Sequence, residues 1–288
     1  MDPRPPGTQA RLRPTLIAAC GVAAVAGLIL IGPAAAQSLL GAMGPGPGPS
    51  PALAELVFTV VIFGAMLAGA IAGGAASNIR VLAPGDGAGR AAAFGAALGL
   101  GGVLASLGYA ALAGRIIVDS GRTASPVLIV GVLAVGLQVV AEEAYFRGWL
   151  QPLLARAYGT GVAVASVAAI FAALHALGGA TGPLALLNMF GGGLLFGWLA
   201  ARGGGVAGSV AAHFAWNATE QLLLGLDPNP GIGSFGALID LDLAGPALWG
   251  GSDQGLNSSL GMTSALAAIL MPLLLARGKR QPMSPRRV

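Results

Sequence analysis

The chain has 288 residues, 55% hydrophobic and 9% charged, with a mean hydropathy of +0.79. A soluble domain carries roughly 25% charged residues, so this composition excludes a soluble globule and points to the membrane. The net charge of +4 and the pI near 10.0 come from basic residues in the tails and short loops, which a membrane topology explains without nucleic acid.

Runs of ~20 apolar residues cross the hydrocarbon core as helices, and about eight are expected here. In chain order they are Pro14–Ala35, Pro51–Ala75, Ala91–Ala113, Pro126–Arg156, Gly161–Leu177, Pro183–Ala201, Val206–Gly225 and Ser258–Leu275. The expected fold class is therefore all-α, a polytopic transmembrane helical bundle. The 48 glycines lie within Leu/Ala/Val runs rather than polar tracts, where small residues let helices pack closely in lipid. The stretch Gly191-Gly192-Gly193 to Gly197 invites such packing, within the chain or between subunits. Cys20 is the single cysteine, so an internal disulfide and a thiolate metal cluster are both excluded. In the first apolar run it is expected to be a small buried hydrophobe.

Cytoplasmic loops are rich in Lys and Arg. Arg4, Arg11 and Arg13 mark the N-terminal tail, and Arg277, Lys279, Arg280, Arg286 and Arg287 mark the C-terminal tail. Both termini are thus expected in the cytoplasm, with Arg80, Arg90, Arg156 and Arg202 in inward loops. The outward loops are nearly uncharged or acidic, at Asp227, Asp240, Asp242 and Asp253; only the stretch from Arg115 to Arg122 runs against the trend. This describes a multi-pass protein of the plasma or inner membrane. The first run, ending in Ala34-Ala35-Ala36, also resembles a signal peptide, but it is long for one and an uncleaved helix is the favoured reading. Either version leaves Gln37 outside.

Ionisable residues within spans are costly and are functional candidates by default. The fourth span reads Ala141-Glu142-Glu143-Ala144-Tyr145-Phe146-Arg147-Gly148. Glu143 and Arg147 are four apart and can form an ion pair within one helix. Glu142 lies ~100° around that helix from Glu143 and calls for a partner from another span. The chain has only two histidines, His175 and His213, both in apolar spans, and His213 shares a helix face with Asn217. A lone histidine on an apolar helix is ordinarily a core residue; two beside a carboxylate pair favour a site. At ~1.5 Å per residue from the cytoplasmic ends, Glu142, His175 and Asn217 lie about 18–21 Å deep and His213 about 12 Å. Glu220, on the same span as His213, is read either as a group supporting the site or as a residue near the outer interface.

A carboxylate beside an imidazole can take a proton from water. A second imidazole with an amide can donate to the oxygen of a tetrahedral intermediate. Gly-x-Ser-x-Gly is absent, which leaves water activated by Glu142 as the nucleophile. No cofactor is required for that chemistry, although Glu142, His175 and His213 are also ligand types for a divalent metal such as zinc; His-Glu-x-x-His is missing. The chain carries Glu142-Glu143-x-x-x-Arg147, then Phe171-x-x-x-His175, then His213-x-x-x-Asn217, each in its own span. In this the chain resembles the CPBP family, which takes in CAAX prenyl proteases of the Rce1 type and bacterial Abi or bacteriocin-immunity homologues. The resemblance covers roughly Pro126 to Leu275.

The resemblance implies that Glu142 and His175 activate water, that His213 and Asn217 form the oxyanion site, and that Glu143 and Arg147 support them. The expected activity is an intramembrane endopeptidase acting on a membrane-associated protein or peptide, prenylated or CAAX-like, within the lipid bilayer. A proton-coupled transporter and an immunity or binding protein are the alternatives. The Gly- and Ser-rich stretch 247–259 is a candidate for shaping substrate access. The corresponding division is a cytoplasmic tail (1–13), N-terminal transmembrane helices (14–125), a catalytic transmembrane domain (126–276) and a basic tail (277–288).

Overall fold

The structure, a computed structural model, describes residues 8–43, 48–118, 124–228 and 234–275. The chain is an integral membrane protein built from helices. In order these are α1 (Thr8–Gly41), α2 (Pro51–Thr59), α3 (Ala65–Ser77), α4 (Ala88–Leu112), α5 (Val127–Glu143), α6 (Gln151–Tyr158), α7 (Thr160–Leu177), α8 (Pro183–Gly203), α9 (Ala207–Ala218) and α10 (Leu260–Leu275). Two three-residue strands, β1 (Ile116–Val118) and β2 (Leu241–Leu243), pair antiparallel with Ile117 opposite Asp242.

Every expected span is present as a helical rod. Among the described residues six rods are long and apolar enough to cross a membrane, including Pro51–Ser77 and Val127–Tyr158, each a pair of α-helices joined without a break. The last two expected spans are shorter: α10 has 16 residues, and α9 continues through one π-helical turn, Thr219–Leu223. Two further π-helical turns, Val60–Gly64 and Ala144–Leu150, join α2 to α3 and α5 to α6. A π turn widens the helix locally and recurs at functional sites.

The outer surface is apolar, with Leu30, Ile31, Leu112, Ile129 and Leu133 all more than half exposed, as lipid requires and water does not permit. Cys20 is on that surface rather than buried. In a lipid-bathed helix both faces are apolar, so hydrophobicity does not say which one turns inward. Inside, the rods close up through small residues. A Cβ on Gly95 or Gly99 of α4 would collide with the carbonyl oxygen of Gly208 or Ala212 of α9. The Gly191–Gly197 stretch packs within the chain, Gly193 on Ala168 and Gly197 on Val164.

The two ends of the bundle differ in charge. At one end the Arg11 guanidinium lies 5.6 Å from the Tyr158 ring centroid. Arg156 donates there to the Ser77 and Asn78 carbonyls at 2.8 and 3.0 Å, and Arg202 donates to the Leu273 carbonyl. The opposite end of α8 is tied by Asn188, which donates to the Asn257 and Ser259 carbonyls at 2.8 and 3.1 Å, in the stretch that carries Asp253. Arg4 of the N-terminal tail and the basic residues Arg277, Lys279, Arg280, Arg286 and Arg287 of the C-terminal tail lie outside the described residues.

Candidate active site

Two apolar clusters meet at the centre of the bundle. One contains Phe146 and Phe171, the other Phe196 and Trp216. At the seam the Arg147 guanidinium sits 4.7 Å from the Phe171 ring centroid, 5.3 Å from Phe196 and 5.7 Å from Phe146. It donates to Glu143 Oε1 at 2.8 Å and to the Gly193 carbonyl at 3.2 Å. Both side chains of this pair are fully buried, so the expected i,i+4 ion pair is present and sealed from water.

Glu143 does more than hold Arg147. Its Oε1 also lies 3.0 Å from His213 Nδ1. A carboxylate already accepting from a guanidinium is an acceptor here too, so the imidazole donates through Nδ1–H. The other ring nitrogen, Nε2, then points to Glu142, 3.6 Å from its Oε2. Glu142 thus faces a titratable group on another rod, as expected from the sequence. Gln138, one turn earlier, donates to Glu142 Oε1 at 3.4 Å. The His213 ring is stacked on Phe196, with centroids 4.6 Å apart and planes 16° from parallel.

His175 is held differently. Its Nδ1 lies 2.9 Å from the carbonyl oxygen of Phe171, one turn back on α7. A carbonyl only accepts, so Nδ1 carries the hydrogen and the neutral ring keeps its lone pair on Nε2.

These groups face one cavity of about 830 Å³. Glu142, His175, His213 and Asn217 all line it, whereas Glu143 and Arg147 sit behind its wall. Each π turn contributes to the lining, through Ile62 and Phe63, Phe146, and Glu220 and Gln221. Val25 and Ile29 of α1 add an apolar side. Glu220 is a buried lining residue rather than an interfacial one. The 247–259 stretch enters through Asp253, Gln254 and Asn257. Gln138, Asp227 and Gln254 were not foreseen as site residues. Gln138 is four residues before Glu142 on the same helix, a spacing that marks it; Asp227 and Gln254 are in loops with no periodic signal.

Among the described residues, no group of three or more His, Cys, Asp or Glu side chains is arranged to hold a metal ion. His213 Nδ1 faces Glu143 and His175 Nδ1 faces the Phe171 carbonyl, which leaves Nε2 as the uncommitted nitrogen of each ring.

Residues 123–219 match the family model for the Rce1-like type II CAAX prenyl endopeptidases. That segment is Rce1-like. It contains all six residues singled out from the sequence, Glu142, Glu143, Arg147, His175, His213 and Asn217. The match ends at the start of the π turn after α9, short of α10, so it covers less than the expected reach to Leu275. No curated protein and no solved structure matches the chain.

Proposed function

We propose that the protein is an intramembrane endopeptidase that hydrolyses a peptide bond of a membrane-associated protein or peptide, prenylated or CAAX-like. The observation that carries this is the convergence of Glu142, His175, His213 and Asn217, from three rods of an Rce1-like segment, on one cavity inside an apolar bundle.

The charges constrain the chemistry. With His213 neutral, two carboxylates and one guanidinium leave the buried cluster one negative charge in excess. An unbalanced charge is expensive in a site of low dielectric, and one proton held between Glu142 and His213 removes it. On this reading that proton rests on His213, whose two N–H groups then face Glu143 and Glu142. Substrate enters with its carbonyl oxygen near Asn217 and His213 Nε2–H. A water between Glu142 and the lone pair on His175 Nε2 attacks the carbonyl carbon and gives its proton to Glu142. The amide of Asn217 and Nε2–H of His213 donate to the resulting oxyanion. The C–N bond breaks as Glu142 returns the proton to the departing amine nitrogen, leaving a new carboxylic acid and a free amine, which end as carboxylate and ammonium once the acid's proton passes to the amine. No metal and no other cofactor enters these steps.

On the same reading residues 126–276 form the catalytic unit and the helices of 14–125 supply the apolar wall. The arginine-rich end faces the cytoplasm with both termini, and the acidic end faces outward across the plasma or inner membrane. The test is purified protein in lipid vesicles with membrane-associated peptides, comparing wild type with Glu142→Gln. Cleavage by wild type and its loss in the variant, with folding unchanged, supports the reading. Equal cleavage by both would sink it.

A further inference from the structure

A segment in the membrane satisfies its backbone N–H and C=O groups as a helix. A peptide bond within such a helix is shielded, so the main chain must open where it is cut. Opening frees several backbone groups, and each is costly in an apolar bundle unless the site supplies a partner. Side-chain amides suit this task, since each offers both a donor and an acceptor.

The amides of this protein differ in what they face. Gln151 donates to the Gly197 carbonyl, and Asn188 donates to the carbonyls of Asn257 and Ser259, so both hold the bundle together. Gln138 donates to Glu142. Asn217 and Gln221 line the cavity, and neither side chain makes a hydrogen bond among the described residues. Gln221 is only 9% exposed, yet neither polar atom of its amide is sealed from the surface. For a residue in the cavity wall, that surface is the cavity. Gln221 also sits in the middle of the π turn Thr219–Leu223, a widened turn of the kind that recurs at functional sites.

Asn217 and Gln221 are four residues apart, ~6 Å along the helix. In an extended chain the N–H and C=O of one residue point to the same side, and that side recurs every second residue, at ~6.5 Å. The two repeats match. We propose that Gln221 binds the main chain of the substrate, pairing with the N–H and C=O of the residue two away from the one whose carbonyl faces Asn217. The bound segment is extended and runs along α9. This rests on the endopeptidase reading and adds to it how the substrate is held. The side chain at the paired residue is left unselected, because side chains stand perpendicular to main-chain hydrogen bonds in an extended segment.

The test uses a fluorescent apolar peptide and analogues in which one backbone amide at a time is replaced by an ester. Each ester removes one N–H and alters no side chain. The peptides are presented to the full-length protein in discs of phosphatidylcholine. Binding is read by anisotropy before turnover, and cleavage of the same peptides by mass spectrometry. At one position the ester is expected to weaken binding to wild type about fivefold, as loss of a single hydrogen bond does. The same ester should cause no further loss in Gln221→Met or Gln221→Ala, each compared at wild-type thermal stability. That position should lie two residues from the cut bond, and changing its side chain should leave the fivefold ratio intact. Absence of binding, a wild-type scan with no sensitive ester, or an ester effect of equal size in the variants overturns the contact. The two claims fail separately. An ester effect that depends on Gln221, without cleavage, supports the contact and counts against the protease, whereas cleavage with no such effect does the reverse.

Discussion

Glu143 and Arg147 never touch the cavity, yet they set the hydrogen-bonding state of a group that does. By accepting from Arg147 and from His213 Nδ1, Glu143 turns Nε2 of His213 toward Glu142. Removing one member of a buried pair strands the other's charge, at a cost of about 3–5 kcal/mol. Arg147→Met should therefore lower thermal stability in detergent by that order. The double variant Glu143→Gln/Arg147→Gln should lose less than the sum of its single changes, and additive losses would refute the coupling. In the proposed mechanism Asn217 has a different role, donating more strongly to the oxyanion than to the carbonyl of bound substrate. Asn217→Ala should lower kcat by about 10²–10³ with KM little changed, as loss of an oxyanion donor does. Steady-state kinetics on a cleavable peptide separates these, and a rise in KM alone would move Asn217 to substrate binding.

Helix α9 carries both His213 and Asn217, and its position is set by the glycines of α4. Gly99 abuts the backbone of Ala212, whereas Gly101, two residues on, has open space where its Cβ would be. Gly99→Ala should displace α9, costing about 1–3 kcal/mol as an overpacked contact does, and should reduce activity with it. Gly101→Ala should preserve both, so matched losses in the two variants would contradict this packing. The rods were legible in the sequence because lipid demands apolar length, and that demand is written in composition. The π turns after Glu143 and Ala218 were not, since a shift in hydrogen-bond register leaves no compositional mark. The six site residues stood out because polar groups in lipid are rare. The contact between His213 and Glu143 did not, because it depends on how rods are rotated against each other. Glu220 could have been recognised as a wall residue, being three residues past Asn217 and seven past His213 on one helix face.

Among the described residues Arg11, Arg156 and Arg202 make their contacts at one end, where Asp86 also lies, while Asp227, Asp240, Asp242 and Asp253 gather at the other beside Arg115, a net asymmetry that orients a membrane protein. With Cys20→Ala as background, a cysteine at exposed Leu248 should react with an impermeant maleimide on intact cells. One at exposed Leu82 should react only after lysis; the opposite pattern would invert the topology. The central claim is that the buried Glu142, facing a cavity within the bundle, drives hydrolysis of a peptide bond. The most direct measurement compares all protein termini in membranes of cells expressing wild type or Glu142→Gln at matched levels. The account predicts a set of termini, near membrane-associated segments, that is present with wild type and missing with the variant. An identical set of termini in both would contradict it.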